Sequence, residues 1–340
     1  ISYLPLNHIF ERICIEWTAL RYGGSISFVE SLETFGQNLA DTKPTTFQGV
    51  PRIYTKFQEK ILAKMSQKKL NIFLKIPIVS SLIKKKLKAA LGLTEVRVVV
   101  SGAAALPVSL IDWYKTIGIY IFNGYGMTEN CCVCTALDPY QPLGVGSVGT
   151  VSSPSVKLKI TEEGEICMTG PFLLDSYYKN EEVTNETLKD GWLHTGDLGY
   201  IDDDGFLYIT GRVKDIFKTS KGKYIEPSVL ESLFGNITEF QQMCVVGLGL
   251  DQPILLAVPS EKAKSDKNGV SKKLSKFLSD VNSDLDGYKK IKKIILVKEE
   301  WIPENGLTTP TLKIKRAKID ERFSGKYQEW YNSTDDVIWQ

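Results

Sequence analysis

Ile119-Tyr120-Ile121-Phe122-Asn123-Gly124-Tyr125-Gly126-Met127-Thr128-Glu129 runs from apolar, β-branched residues into a glycine turn carrying a Tyr, a Thr and a Glu. The first half reads as a buried strand. In the second half two glycines let backbone approach a ligand closely, because no Cβ stands in the way. The Tyr ring offers a flat face to a base, a contact worth roughly 1–3 kcal/mol with nucleic-acid bases. The Thr hydroxyl can donate to a phosphate oxygen, and the Glu carboxylate can hold Mg²⁺ beside it. A tight turn after a core strand would use the same glycines. Six residues in the order Gly-Tyr-Gly-Met-Thr-Glu point instead to a nucleotide site.

Strands and helices alternate ahead of this turn. Residues 9–22 space apolar groups at three and four, as an amphipathic helix does, and Gly23-Gly24 stops it. Residues 25–29 alternate as a strand, and 31–41 read as a short helix capped by Ser31. The next strand is 46–50, and Pro51 opens a long helix. Residues 96–100 form an apolar strand ending in the small-residue turn Ser101-Gly102-Ala103-Ala104-Ala105-Leu106. This order predicts an α/β fold, a largely parallel sheet covered by helices. Gly144–Gly149 spells GxGxxG, but it precedes a strand at 156–160 and not a helix, which excludes a dinucleotide fold. No GxxxxGK[ST] phosphate loop occurs.

Short strands at 156–160, 164–169 and 205–209, with Asp202-Asp203-Asp204-Gly205 as a hairpin tip, predict a small antiparallel β unit. Composition changes at Gly211-Arg212-Val213-Lys214-Asp215. A helix follows with Ser228 and Glu231 as a capping box, then strands at 244–248, 254–258 and 291–297 and a helix at 272–283. The expectation is two domains, 1–211 and 212–340, the second a small α+β module, with a hinge at about 212–216.

The 340 residues carry 43% hydrophobic residues and a formal net charge of +2, which argues against a dedicated nucleic-acid binder. Only His8 and His194 are present, so a His-rich metal site or proton relay is excluded. The six cysteines include no matched CxxC pairs; Cys131, Cys132 and Cys134 read as small apolar fillers near the site, reduced in a cytoplasm. No run of eighteen apolar residues spans a membrane. Residues 60–90 are Lys-rich and helical, with apolar beads at Leu70, Ile72, Phe73, Leu74 and Ile76. They read either as a solvated insertion or as a surface resting on anionic lipid, which would make the protein peripheral at a membrane. The chain opens without Met inside an apparent strand, so an internal start is expected.

Four signals recur in one order: the turn at 101–106, GYGMTE at 124–129, Thr195-Gly196-Asp197 with GRVKD at 211–215, and the lysine loop at 306–316. With YLPLNHIFER at 3–12, GWLHTGDLG at 191–199 and GLTTPTLKIKR at 306–316, the chain resembles the adenylate-forming (AMP-binding) superfamily. Within it the chain is most similar to long-chain fatty acyl-CoA synthetases. The resemblance implies the C-terminal portion of the large domain followed by the small mobile domain. It implies that Gly102, Ala103 and Ala104 flank adenine, that Asn123 reaches its amino group, and that Tyr125 stacks on it within the turn Gly124, Gly126 and Met127. It implies Thr128 on the α-phosphate, Glu129 on Mg²⁺, Asp197 on the ribose hydroxyls, and Ile209 and Arg212 on the nucleotide. Lys214 takes the hinge position. Lys313 bridges acyl carboxylate, ribose and α-phosphate, with Lys315 as a rival, and His8 borders the carboxylate site unless it is a hydrogen-bonded core histidine. Lys218, Lys221, Gly222 and Lys223 line the CoA tunnel.

The implied reaction uses ATP, Mg²⁺ and CoA. A fatty acid carboxylate attacks the α-phosphorus, pyrophosphate leaves, and the CoA thiol displaces AMP. Catalysis by positioning and charge neutralisation needs no general base, which agrees with two histidines. Two other readings share these residues: a fatty acyl-AMP ligase loading a carrier protein, and a non-catalytic nucleotide or acyl binder. Acyl chain length and oligomeric state are set by none of these residues. The family's Gly- and Ser/Thr-rich phosphate loop is not in the chain and is expected upstream, so the chain alone is expected to adenylate weakly or not at all. The loop before Lys313 has Thr311-Leu312 where most of the superfamily has a Gly.

Overall fold

Phe47, Val99 and Ile121, all buried, lie on three parallel strands: β1 (Thr46–Gly49), β2 (Val98–Ser101) and β3 (Ile121–Tyr125). The computed structural model describes residues 1–31, 33–141 and 143–340. The chain divides into two compact units, Ile1–Thr195 with Gly199–Ile209, and Gly196–Leu198 with Thr210–Gln340.

In the first unit the parallel strands are extended by β4 (Thr135–Leu137) and β5 (Thr150–Val151), both antiparallel, giving the order β1-β2-β3-β4-β5. Helices Pro51–Lys64 and Val108–Thr116 make the β1–β2 and β2–β3 surroundings dry. Pro51 sits at the first helical turn, where its missing N–H costs nothing. Tyr54 and Tyr114 are fully buried with their phenols satisfied: Tyr54 donates to the Val100 carbonyl at 2.7 Å, and Tyr114 to the Tyr54 carbonyl at 2.7 Å. A Cβ at Gly49 would stand 2.9 Å from the Tyr54 ring, so that strand end needs glycine. A second sheet contains β6 (Lys157–Ile160), β7 (Glu165–Thr169), β8 (Leu188–Lys189), β9 (Trp192–Ile201) and β10 (Leu207–Arg212), in the order β10-β9-β7-β6 with β8 on β9. At the 202–205 tip the Asp202 carboxylate accepts from the Phe206 N–H at 2.8 Å, and Gly205 takes φ +84°.

The second unit holds a short hairpin, β11 (Phe217–Lys218) with β12 (Tyr224–Ile225). Its main sheet is β13 (Phe240–Val246), β14 (Ile254–Pro259), β15 (Ile294–Leu296) and β16 (Val337–Trp339). The first pair is antiparallel and the rest parallel. β14 is buried along its whole length, with helix Lys267–Ser283 on one core and Trp301, Ile319 and Trp330 on the other.

Several expectations need correction. Residues 25–29 are no strand; one parallel bridge, Ser2 to Phe28, forms there, and no neighbouring strand among the described residues extends the ladder. The helix at 9–22 is present, but its middle, Arg12–Trp17, is π-helical. The helix expected at 31–41 runs Phe35–Thr42; Ser31 turns back on Thr34, its hydroxyl accepting the Thr34 N–H at 3.2 Å, and Leu32 lies outside the described residues. Ser228 and Glu231 make no capping box on helix Pro227–Leu233. Glu231 is drawn away by longer-range partners, the Val245 N–H at 2.7 Å and Arg316 at 2.8 Å. Strand β16 and helix Glu181–Thr187 were not foreseen.

Candidate functional site

Parallel strands deliver their loops at one end of a sheet, and two of the predicted turns meet that way. β2 and β3 pair so that Ser101 lies opposite Asn123, which sets the turn at 102–104 beside the turn at 124–126. Ala103 holds φ +66°, a left-handed conformation that costs a residue with a Cβ roughly 1–2 kcal/mol. Ser101 is fully buried and its hydroxyl has no hydrogen-bond partner. Asn123, 4% exposed, donates from Nδ2 to the Ser147 carbonyl at 3.1 Å, which fixes its amide plane. Ser147 is a contributor the sequence reading missed. It lies in the Gly144–Gly149 stretch, rejected as a dinucleotide motif, which instead buttresses Asn123.

Gly126 has a reason unconnected with any ligand. A Cβ there would stand 2.6 Å from the Cys132 backbone, where the chain doubles back through left-handed Cys131 and Cys132. Tyr125 and Met127 pack beside Cys134, Met168 and Leu193. Burial pushes the Cys132 and Cys134 thiols up to about 12, which suits fillers and not nucleophiles. Thr128 is exposed on a short 3₁₀ turn, Thr128–Asn130. Glu129 is clamped twice by the segment that follows β7: its carbonyl accepts the Leu174 N–H at 2.8 Å, and its carboxylate Oε1 accepts the Tyr177 hydroxyl at 2.8 Å. Tyr177 carried no signal in the sequence. A hard carboxylate oxygen held in a fixed place is what Mg²⁺ at a phosphate requires, so the donor set fits that ion.

His8 serves as a helix cap. Its Nδ1 accepts the Phe10 N–H at 3.2 Å, and burial lowers its basicity, so it is a neutral acceptor.

The second unit gathers a different group. Asp197, 5% exposed, accepts from Arg212 Nε at 2.7 Å. Lys313 lies within electrostatic reach of both. Burial pushes its ammonium below the usual lysine range and Arg212 adds to that, while Asp197 and Asp215 oppose it. Lys315 is exposed. The loop carrying Lys313 is closed by Thr309: its N–H donates to the Lys313 carbonyl at 2.8 Å and its hydroxyl accepts the Lys313 N–H at 3.1 Å. Leu312 there adopts φ +64°. Arg316 ties the loop's end to Glu231 and Asp215, at 2.8 and 3.5 Å.

Lys214 is exposed on a single 3₁₀ turn, Val213–Asp215, directly after β10. In the β11–β12 turn Gly222 holds φ +75°, Lys221 pairs with Asp251 at 3.0 Å, Lys218 covers the Tyr224 ring, and Lys223 faces that of Tyr288. Ile209 is partly exposed on β10. The structure thus brings 101–104 to 123–126 in one unit, and Asp197, Arg212 and Lys313 together in the other.

One further cluster was not foreseen. Glu165 and Cys167 share a face of β7, and His194 Nδ1 on β9 stands 2.7 Å from Glu165 Oε2 and 3.4 Å from Cys167 Sγ. The carboxylate oxygen and the thiol sulfur both crowd one ring nitrogen, as a hydrogen-bonded side-chain contact with a packed thiol does. The contact staples β7 to β9 just ahead of Thr195-Gly196-Asp197.

Residues 1–178 match the family described as AMP-binding enzyme, and 214–335 match the AMP-binding enzyme C-terminal domain. The chain is 31% identical to long-chain-fatty-acid–CoA ligase 5 of Rattus norvegicus over 99% of its length and 56% of that protein. It is 30% identical to long chain acyl-CoA synthetase 3 of Arabidopsis thaliana over 99% of its length and 58% of that protein. It therefore spans little more than half of these relatives. Among solved structures, the carboxylic acid reductase A-PCP didomain of Segniliparus rugosus in complex with AMP aligns at TM-score 0.78 and 23% identity, over 97% of this chain and 48% of that one. The o-succinylbenzoate CoA synthetase of Bacillus subtilis in complex with ATP and magnesium aligns at TM-score 0.65 and 22% identity, over 94% and 61%.

Proposed function

The chain belongs to the AMP-binding, adenylate-forming enzyme family, and from that premise we propose that it supplies the acyl-activating residues of a long-chain fatty acid–CoA ligase. The fatty acid carboxylate attacks the α-phosphorus of ATP. The bond from that phosphorus to the bridging oxygen breaks, and pyrophosphate carries away the electron pair. In the second step the CoA sulfur attacks the acyl carbonyl, gives up its proton, and expels AMP.

The family resemblance assigns the roles, and the surroundings of several residues support them. Asn123, with Nδ2 committed to Ser147, would turn its carbonyl oxygen to the adenine amino group, with the 102–104 turn and the Tyr125 ring on the faces of the base. Thr128 would donate to the α-phosphate. Glu129, steadied by Tyr177, would hold Mg²⁺, which neutralises phosphate charge when bound. Asp197 would accept from the ribose diol and Arg212 would reach the same nucleotide. Lys214 would be the hinge, and the 218–223 turn would line the path of the thiol. The observation that carries the reading is Lys313, half-buried in electrostatic reach of Asp197 and Arg212 while Lys315 faces water. A cation so placed would offset charge developing on phosphorus, a contribution of the order of 10²–10³ in rate.

A depressed lysine loses its proton at lower pH than a free one. Adenylation should accordingly decline on the alkaline side with a midpoint below roughly 10.4, the ordinary lysine value. Lys313→Arg, which keeps its charge, should remove that limb. The deciding assay uses the natural full-length protein, since we propose that residues 1–340 alone adenylate weakly or not at all. Lys313→Ala should slow pyrophosphate release by about 10²–10³ and leave thioester formation from supplied acyl adenylate near wild type. Equal slowing of both steps, or of neither, would refute the assignment.

A further inference from the structure

Between Lys60 and Thr94 the sequence has nine lysines and neither Asp nor Glu, in a chain whose formal net charge is +2. The rest of the chain is therefore net negative, and seven of these nine lysines lie on one element pair, helix Gln67–Lys75 and helix Pro77–Ala90. One side of the pair is fixed to the core. Leu70 is fully buried, Ser80 faces inward, and Gln67 accepts from the Trp113 indole at 2.9 Å.

The other side is open. Ile72, Ile76, Ile78 and Leu82 are 59, 46, 78 and 57% exposed and cluster about the corner between the helices. Exposed Lys68, Lys69 and Lys75 lie on the first helix, and exposed Lys85 and Lys86 on the second. Past the corner, Ser81, Lys84, Lys85, Lys88, Thr94 and Glu95 line a shallow cleft.

We propose that this corner is a docking surface for an anionic lipid bilayer, with the four aliphatic side chains entering the headgroup–acyl boundary and the flanking lysines resting among acidic headgroups. The charge pattern departs from that of a helix pair stabilised in solvent, which would gain from acids three or four residues from its lysines. Exposed aliphatics beside lysines are what an interfacial surface needs. A nucleic-acid face would have little use for them, and this segment contains no arginine. Among the described residues no helix is long and apolar enough to cross a membrane, so attachment by this surface would be peripheral. The inference does not depend on the ligase reading.

The test is co-sedimentation of the full-length protein with phosphatidylcholine vesicles, with and without phosphatidylserine, across a salt series. Binding should require the anionic lipid and weaken as salt rises. A lysine near such a surface contributes roughly five-fold in partitioning. Lys68→Glu, Lys69→Glu, Lys85→Glu and Lys86→Glu together should therefore lower it at least about a hundred-fold. Ile78→Ser with Leu82→Ser should lower it by about ten-fold or more, because buried apolar area is lost. All six side chains are exposed, so thermal unfolding should match wild type and certify the fold. Equal binding to neutral vesicles, binding untouched by either set, or tighter retention on duplex DNA than on anionic vesicles would overturn the proposal.

Discussion

The turn at 124–129 and the loop at 309–315 each carry an ionisable side chain proposed for the same reaction, but different physics holds them. The first is continuous with a buried strand. Its shape is forced by backbone packing at Gly126, and its carboxylate is pinned by Tyr177. The second hangs between a small sheet and a helix. Its charge is balanced by Asp197 and Asp215 and opposed by Arg212, all far earlier in the chain, and its backbone bends at a leucine in a conformation that favours glycine. A platform and a loop are suited to different tasks. The platform can bind before anything moves, while the loop holds its lysine through contacts that can be given up.

The sharpest way to break the contrast is at the anchor of the loop. Glu231→Ala strips the closest carboxylate from Arg316, leaving a largely buried guanidinium with Asp215 at 3.5 Å and the Val245 carbonyl as its remaining partners. Removing one partner of such a pair should cost about 3 kcal/mol, measured by denaturant unfolding of the second unit's transition. A loss under a third of that would mean the loop's end is held otherwise. Gly126→Ala probes the platform: a methyl 2.6 Å from the Cys132 backbone should cost roughly 1–3 kcal/mol. Gly222→Ala, with nothing within 4 Å, should cost only its left-handed φ, about 1 kcal/mol.

Tyr177→Phe removes one hydrogen bond to Glu129 and should raise the Mg²⁺ concentration needed for half-maximal adenylation about five-fold. A change in kcat alone would mean that Tyr177 does not steady the carboxylate. The smallest effect should come from Leu312→Gly. Relief of the left-handed backbone is offset by the greater freedom of glycine when unfolded, so stability should rise by no more than about 1 kcal/mol. A clear loss would show that the Leu312 side chain packs more tightly than its backbone strains.

The same contrast explains what could be read from the sequence. The platform was legible because strand, turn and functional side chains are contiguous, and the α/β alternation that builds it follows from local periodicity. Its support was not. Tyr177 and Ser147 act across 48 and 24 positions, and neither residue type announces a partner at that distance. In the loop, the lysine, the aspartate and the arginine were each found by resemblance, but their electrostatic grouping needed coordinates. Glu231 shows the local rule losing: a Ser-x-x-Glu pattern reads as a helix cap, and the carboxylate goes to Arg316 because a buried guanidinium offers more than a frayed helix end. Residues 25–29 failed for a related reason, since alternation makes a strand only where a partner strand supplies its ladder.

The central claim is that a fatty acid is activated on ATP before any thiol arrives. Full-length protein mixed with ATP, Mg²⁺ and a long-chain fatty acid, without CoA, should release about one equivalent of pyrophosphate and retain acyl adenylate. Adding CoA should then free AMP and yield the thioester. Absence of acid-dependent pyrophosphate release, or AMP that leaves only on addition of a carrier protein, would contradict the account.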